Sequence, residues 1–214
     1  PASHVYVNRK IKACAEVGIV SKQMRLNSDV SQAAVAKVID DFNNDPDIHG
    51  ILLQLPLPDH LDSEPLVQMI DPNKDVDGLT VTNMGRLMVG MDGLFPCTPL
   101  GAMHLIHAHK QDLTGMEAVI MGRSNLFGKP MAQMLLRADC TIHHAHGLSR
   151  DVPGMTKNAD ILVVAVGKPH LVEADWVKPG AIVIDIGTNR LEDGSLTGDV
   201  DFDNVKEVAS AISP

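Results

Sequence analysis

The sequence predicts two α/β domains, the second of them built around a doubly wound parallel sheet. Three short runs in the second half of the chain are apolar, β-branched and ended by glycine, at residues 118–122, 160–167 and 181–187. A helix-like segment at 128–137 follows the first of these runs, which gives a βαβ pattern. In the first half, the apolar run at 50–55 is typical of a strand that is buried on both faces.

Two helices are predicted ahead of that first strand. The spacing of Val7, Ile11 and Cys14 predicts a helix over residues 3–17, which Gly18 ends. A second helix is predicted over 31–42, because its apolar residues recur at i, i+3, i+4 and i+7. The strand that follows is interrupted by one polar residue, Gln54, and is stopped by prolines.

The domain boundary is expected near residue 98. The stretch 71–99 is rich in Asp, Pro, Asn and Gly, as is common in loops that carry a site. Thr98 followed by Pro99 is typical of a helix N-cap and first helical position. The sequence thus predicts a first domain over 1–98 and a second domain over 99–214, with a site in the cleft between them.

Composition narrows the class of partner. The net charge of −9 argues against a nucleic-acid ligand, and no apolar run approaches the roughly 20 residues of a membrane span. The three cysteines form no CxxC pair, which is typical of reduced thiols in the cytoplasm. A small-molecule substrate is therefore expected. Because residue 1 is Pro and the chain ends inside an apolar segment, we expect a fragment of a longer protein.

The turn at 122–130 lies between a predicted strand and a predicted helix. Such a turn directs backbone N–H groups and the positive end of the helix at a pyrophosphate, as in Rossmann-type domains. It is not a GxGxxG motif, because Ser124 stands where the second glycine would be. The turn by itself is therefore compatible either with dinucleotide binding or with an ordinary connection between strand and helix.

The next strand favours NADP over NAD. An acid at its end would bind a free ribose 2′-hydroxyl, but residues 140–147 contain none. Arg123 and the histidines of this segment suit a ribose phosphate better. The neighbours His143 and His144 point to opposite faces of a strand, so they cannot bind one ion together, and no metal site is expected.

A possible catalytic pair lies on the first helix. Tyr6 and Lys10 are four residues apart, so their side chains share one helix face. A lysine beside a phenol in a partly dry cleft can relay protons, although such a pair is commonly only surface decoration. Gln54 could orient the pair, and the carboxylates of segment 75–78 could hold a polar substrate or simply form a turn.

Seven segments together resemble the bifunctional methylenetetrahydrofolate dehydrogenase/cyclohydrolase family. They follow in order along nearly the whole chain: YVNRK (6–10), GILLQLPLP (50–58), KDVDG (74–78), PCTP (96–99), GRSN (122–125), AIVIDIGTN (181–189) and GDV (198–200). The order of seven motifs is far more specific than any one of them.

The resemblance implies a substrate-binding and catalytic domain over 1–98, an NADP-binding Rossmann-type domain over 99–214, and roles for individual residues. Lys10 would be catalytic, with Tyr6 stacking on the folate, Gln54 supporting the lysine and Asp77 holding the pterin. The cofactor contacts would be Gly122, Arg123, Ser124, His146 and Thr188. Two positions depart from the family's common pattern: Gly147 replaces a serine, which weakens the argument for NADP, and Thr188 replaces an isoleucine.

The implied activity is the NADP-dependent oxidation of methylenetetrahydrofolate to methenyltetrahydrofolate and its hydrolysis to formyltetrahydrofolate. The resemblance also implies a cytoplasmic homodimer that serves one-carbon metabolism and purine biosynthesis. Two rivals stay open from the residues alone. One is a dehydrogenase of another small substrate such as a hydroxy acid, which would need an arginine clamp and a histidine paired with an acid. The other is a nucleotide sensor without catalytic activity.

Overall fold

The structure, a computed structural model, describes the backbone of residues 2–214 and the side chains of residues 7–214. The chain divides into two compact units, Pro1–Asn83 and Met84–Pro214. Helix α4 (Val81–Met88) spans the division. The division lies earlier than the boundary expected near residue 98; that boundary and the cleft expected at it stay predictions.

The first unit is mostly helical. Helix α1 (Ala2–Glu16) and helix α2 (Gln32–Asn44) confirm the two predicted helices, and α3 (Ser63–Gln68) adds a short third one. Ser31 caps α2, because its hydroxyl accepts the N–H of Ala34 at 3.2 Å. The core of this unit consists of buried aliphatic side chains from α2, α3 and the loops: Val35, Ile39, Ile51, Leu61, Leu66 and Ile70.

The strand predicted over 50–55 is not formed. Ile51 makes one isolated parallel bridge to Asp75, with its N–H bonded to the carbonyl of Lys74, and the segment then continues as an irregular extended chain. Only Ile51 in this run is buried, and Leu52 is exposed. A strand needs a partner along its length, and the described part of this unit offers none. The prediction of a strand was therefore wrong, although the segment is extended.

The second unit contains the predicted parallel sheet. Its strands are β1 (Glu117–Met121), β2 (Thr141–Ala145), β3 (Ile161–Val164), β4 (Ile182–Asp185) and, later in the chain, β7 (Ala211–Ile212). They are ordered β2-β1-β3-β4-β7 and all pair in parallel. The chain order changes direction between β1 and β3, and ligands of such sheets bind at the carboxyl ends next to that point.

Both faces of the sheet are covered, which explains the continuous apolar runs. On one face, Ile120, Val163 and Ile184 pack against α5 (Cys97–His109) and α6 (Gly128–Arg137). On the other face lie Val119 and its neighbours, covered by α7 (Val152–Thr156), a 3₁₀ turn (Ala174–Trp176) and α8 (Phe202–Val205). A two-stranded hairpin, β5 (Asn189–Arg190) and β6 (Leu196–Thr197), extends beyond β4.

The expected cap of α5 is corrected by the structure. Helix α5 begins at Cys97, and its N-cap is Pro96, so Thr98 and Pro99 lie inside the first turn. Pro99 is tolerated there because the first N–H groups of a helix have no acceptor within it. By contrast, α6 begins and ends at the predicted residues, Gly128 and Arg137.

Candidate active site

In the first unit, the predicted lysine and glutamine are in direct contact. The Lys10 ammonium on α1 donates to Gln54 Oε1 at 3.2 Å. The amide of Gln54 is itself held, because its Nε2 donates to the carbonyl of Leu55 at 2.8 Å. This second bond leaves Oε1 turned towards the lysine. The structure thus brings together two residues that are far apart in sequence, as the prediction required.

The two carboxylates of segment 74–78 have different environments. Asp75 is buried, and its Oδ2 accepts the N–H of Thr80 at 2.8 Å and the amide of Asn83 at 3.1 Å, so it organises the start of α4. Asp77 is half-buried, and no donor among the described residues bonds its carboxylate. The second aspartate is therefore the one available to a ligand.

Burial is the main influence on the pKa of the Asp77 carboxyl. It raises the pKa of the Asp77 carboxyl, the charge of Asp75 raises it further, and the nearby Lys10 ammonium opposes the change. Lys10, Gln54 and Asp77 thus form one local cluster. The backbone of Tyr6 lies one helical turn before Lys10 on α1, but its side chain is outside the described residues, so its stacking role stays a prediction.

In the second unit, the turn after β1 admits only glycine at two positions. Gly122 has φ +120°, and a Cβ there would overlap the carbonyl oxygen of Ala165, which follows β3. A Cβ at Gly128 would overlap the carbonyl of Gly122 itself. The turn is therefore packed closely against the end of β3 and brings the start of α6 up to the edge of the sheet.

Ser124 shapes this turn from within. Its hydroxyl oxygen accepts the N–H of Phe127 at 3.1 Å and that of Gly128 at 3.5 Å, so it serves the first turn of α6 as a cap does. The hydroxyl hydrogen is not used in these two bonds and can still donate to a ligand. Ser124 can thus combine the predicted cofactor contact with a structural role that was not predicted from the sequence.

Arg123 is exposed on the turn, and among the described side chains we find no carboxylate that pairs with it. Its guanidinium is therefore available to an anionic ligand. The end of β2 carries no acid, as noted from the sequence. The turn thus places an exposed cation beside the positive end of α6, whose first N–H groups are bonded to Ser124 within the turn, and this combination suits a phosphate-bearing cofactor.

The three histidines near the end of β2 have separate partners. His143 is exposed and its Nε2 lies 2.9 Å from Glu117 Oε2, whereas His144 Nε2 donates to the carbonyl of Gly122 at 2.6 Å. Nδ1 of His146 accepts the N–H of Leu148 at 3.2 Å, so the neutral ring carries its hydrogen on Nε2. From residue 7 onward, no three His, Cys, Asp or Glu side chains are grouped so that they could hold a metal ion.

Two aspartates near Thr188 were not predicted from the sequence. Thr188 is exposed, and it follows Gly187, whose N–H is bonded by Asp185 at 2.8 Å. Asp199 is buried and accepts the side-chain amide of Asn189 at 2.8 Å. Burial raises the pKa of the Asp185 carboxyl, although backbone hydrogen bonds to it act in the opposite direction. Both aspartates lie in motifs that were quoted, AIVIDIGTN and GDV, but a local pattern does not indicate a carboxylate's partners.

A search for membrane-spanning helices over the described residues finds none that is long and apolar enough. Comparison with protein families gives two matches. Residues 1–77 match the catalytic domain of tetrahydrofolate dehydrogenase/cyclohydrolase, and residues 96–214 match its NAD(P)-binding domain. The two matches lie in the first and the second unit respectively.

Individual relatives agree with the family match. The bifunctional protein FolD of Polaromonas naphthalenivorans is 51% identical over 214 residues, covering 100% of this chain and 76% of the relative. FolD 1/3 of Ruegeria pomeroyi is 50% identical over 217 residues, covering 100% of this chain and 73% of the relative.

Solved structures agree as well. The FolD methylenetetrahydrofolate dehydrogenase/cyclohydrolase of Campylobacter jejuni is 46% identical with a TM-score of 0.98, covering 100% of this chain and 76% of that one. The Trypanosoma brucei enzyme, whose structure is complexed with NADP cofactor and an inhibitor, is 34% identical with a TM-score of 0.94, covering 100% and 75%. The predicted family and Rossmann-type second domain are confirmed, and the chain belongs to the bifunctional tetrahydrofolate dehydrogenase/cyclohydrolase family, with an NAD(P)-binding domain as its second half.

Proposed function

We propose that this chain oxidises methylenetetrahydrofolate to methenyltetrahydrofolate with NADP and hydrolyses the product to formyltetrahydrofolate, with Lys10 as the catalytic residue. The observation that carries the proposal is the cluster in the first unit, in which Gln54 holds the Lys10 ammonium near the half-buried Asp77. The family supplies the two activities, and the cluster supplies residues suited to them.

Lys10 suits both steps because a lysine can lose its proton. Removal of hydride from the methylene carbon leaves a methenyl cation, and a permanent positive charge beside that cation would oppose its formation. In the hydrolysis, water adds to the methenyl carbon, loses a proton and opens one carbon–nitrogen bond, which leaves the formyl group. A lysine that accepts the proton of the water assists this step, and Gln54 orients it.

Asp77 is proposed to bind the pterin. A carboxylate can accept two N–H hydrogen bonds in one plane, and no described residue donates to the carboxylate oxygens of Asp77. Its neighbour Asp75 is excluded from this role because it is buried and already bonded to Thr80 and Asn83. Tyr6 is proposed to stack on the same substrate, one turn before Lys10 on α1.

The cofactor is proposed to lie along the carboxyl ends of β1, β2 and β4. The residues that would hold it are those of the glycine turn and two strand ends: Gly122, Arg123, Ser124, His146 and Thr188. When bound, NADP supplies the hydride acceptor. Two observations support NADP over NAD: no described carboxylate pairs with the Arg123 guanidinium, and the end of β2 carries no acid. Gly147 removes one hydroxyl from this region, so Arg123 carries the preference.

We further propose a cytoplasmic homodimer that supplies one-carbon units, including those for purine biosynthesis. The lack of CxxC spacing supports a reducing compartment, while the dimer rests on the family resemblance. The net charge of −9 supports a small-molecule rather than a nucleic-acid partner.

The test compares Lys10→Met with Lys12→Met. Lys12 lies on the same helix and is exposed, and its one ion pair among the described side chains is a long one of 3.9 Å to Glu16. NADPH formation from methylenetetrahydrofolate and the decay of methenyltetrahydrofolate are followed separately. We expect Lys10→Met to lose about 100-fold or more of both activities, the range of a missing general acid–base group, and Lys12→Met to lose none. A wild type without NADPH formation refutes the enzyme proposal; an active Lys10→Met refutes the role of Lys10.

A further inference from the structure

Two carboxylates, the buried Asp199 and the half-buried Asp185, bind the loops at the carboxyl ends of β3 and β4. Asp199 Oδ2 accepts the N–H groups of Val166 at 2.6 Å and Gly167 at 2.9 Å. Its other oxygen accepts the N–H of Lys168 at 2.8 Å and the amide of Asn189 at 2.8 Å. All four donors come from outside the segment that carries Asp199, so one side chain joins two loops to a third.

Asp185 continues this network. Its Oδ1 accepts the N–H of Gly187 at 2.8 Å and that of Asp199 at 3.1 Å, and its Oδ2 accepts the N–H of Val200 at 2.8 Å. Two glycines make room for the pair: a Cβ at Gly187 would overlap Asp199, and a Cβ at Gly198 would overlap the Asp185 carboxylate. In the described chain, no lysine, arginine or histidine side chain bonds either carboxylate, so backbone N–H groups provide most of their stabilisation.

The network reaches the glycine turn through one residue. Ala165 immediately precedes Val166, and its carbonyl is the group against which Gly122 packs. The loop that Asp199 holds therefore forms the wall of the turn that follows β1. On the other side, Thr188 lies between Gly187, which Asp185 bonds, and Asn189, which Asp199 bonds.

We propose that Asp199, supported by Asp185, is a positioning residue for the nucleotide cofactor: it sets the place of the wall behind Gly122 and the place of Thr188. The inference rests on the proposed function, because it takes the turn and Thr188 as cofactor contacts. Neither carboxylate needs to touch the cofactor. Pre-organised loops bind a ligand more tightly because they lose less freedom on binding.

The decisive variant is Asp199→Asn. The side chain keeps its shape, but an NH₂ group replaces one of the two carboxylate oxygens. Each oxygen accepts two hydrogen bonds, so the two bonds to the replaced oxygen are lost and the loops are held less firmly. Asp160→Asn is the matched control. Asp160 is also a carboxylate at a sheet end, and it accepts the N–H of Glu117 at 2.9 Å and the Lys178 ammonium at 2.6 Å, but it precedes β3 at the opposite edge.

Both variants are compared with the wild type in three measurements: the KM for NADP, the Kd of NADP by calorimetry, and methenyltetrahydrofolate hydrolysis without nucleotide. We expect Asp199→Asn to raise the KM and Kd for NADP at least tenfold and to leave the nucleotide-free hydrolysis within about twofold. Asp160→Asn should change neither the KM and Kd for NADP nor the rate of hydrolysis. Asn189→Ala, which removes one bond to Asp199, should raise the KM for NADP about threefold and decides the matter if Asp199→Asn does not fold.

An unchanged KM for NADP in Asp199→Asn, or in Asn189→Ala if Asp199→Asn does not fold, overturns the inference. A rise in KM that Asp160→Asn reproduces also overturns it, and so does a rise accompanied by an equal fall in hydrolysis. If the wild type itself does not bind NADP, the proposed function fails together with the inference. If the wild type binds NADP and only the variants behave otherwise than expected, the inference alone fails.

Discussion

The Lys10 ammonium lies 3.2 Å from Gln54 Oε1, although the two residues belong to a helix and to an extended segment far along the chain. The bond from Gln54 Nε2 to the carbonyl of Leu55 prevents the amide from turning away. Lys10 is exposed on its helix, and an exposed lysine samples many rotamers when nothing holds it. The amide therefore selects the position of the amine that, in the proposed function, meets the substrate.

Removing this amide should reduce activity without removing the amine. We expect Gln54→Ala to lower kcat/KM for both reactions roughly tenfold, because a hydrogen bond to a charged group contributes about 1.5 kcal/mol. Gln32→Ala is the control, since among the described residues the amide of Gln32 bonds the backbone of Asp62 and nothing else. Steady-state kinetics on the three proteins measures the effect. Equal activity of Gln54→Ala and wild type would contradict a positioning role for Gln54.

Asp77→Asn should stabilise the fold at neutral pH while it weakens folate binding. Burial raises the pKa of the Asp77 carboxyl, so the folded chain binds a proton more readily than the unfolded chain. Stability is therefore lost as the pH rises from about 4 through the folded pKa, and it stays lost above that. We expect the Tm at pH 7 to rise by about 1–3 °C, with no difference near pH 2.5, where the carboxyl is protonated in both the folded and the unfolded chain.

Asp45→Asn provides a control of opposite sign. The N–H of Asp47 and the Lys22 ammonium lower the pKa of the Asp45 carboxyl, so its ionised form stabilises the folded chain. That stability is present above the ordinary pKa and disappears as the pH falls through the lowered one. Thermal melts at both pH values compare the two variants. A lower Tm for Asp77→Asn at pH 7 would refute the argument from burial.

Arg123→Ala should affect NADP much more than NAD. The guanidinium is exposed and unpaired among the described side chains, so its loss leaves the fold intact but removes the partner proposed for the ribose phosphate. We expect kcat/KM to fall roughly tenfold to a hundredfold with NADP and to change little with NAD, since a charged hydrogen bond contributes about 1.5–3 kcal/mol.

Lys129→Ala is the control for Arg123→Ala, because its ammonium on the same turn bonds Asn125 Oδ1 at 2.7 Å. Initial rates with each nucleotide measure the preference. A wild type that prefers NAD would show that Arg123 does not bind the ribose phosphate. The same would follow if Arg123→Ala lowered kcat/KM equally with NADP and with NAD.

Cys140 should resist alkylation in the native state. Burial, followed by the charges of Asp139 and Asp160, raises the pKa of its thiol to about 11. At pH 8 the reactive thiolate is then roughly a hundredfold rarer than for an ordinary cysteine. Mass spectrometry after iodoacetamide treatment, with and without denaturant, measures the difference. Modification of Cys140 at the same rate in both samples would contradict it.

Much of the second unit was predictable from local pattern. Helix α6 has the predicted bounds, and the apolar cores of the three strand-like runs form β1, β3 and β4. These residues are buried on both faces of a parallel sheet, so they must be apolar, and the turns behind them need glycine. The run at 50–55 has a similar apolar composition, but in the described part of the chain it forms only the isolated bridge from Ile51 to Asp75, so composition alone led to a wrong prediction.

By itself, the sequence determined the family, the parallel sheet and the candidate residues of the site, because apolar runs, glycine turns and ordered motifs are local features. Only the tertiary structure decided which carboxylates serve the fold. It placed Asp75 against Thr80 and Asn83, left Asp77 available, and set Asp199 and Asp185 under loops from three strand ends. The physical reason is that a carboxylate is stabilised by N–H groups from distant segments, and their direction follows from the folded backbone and not from the neighbouring residues.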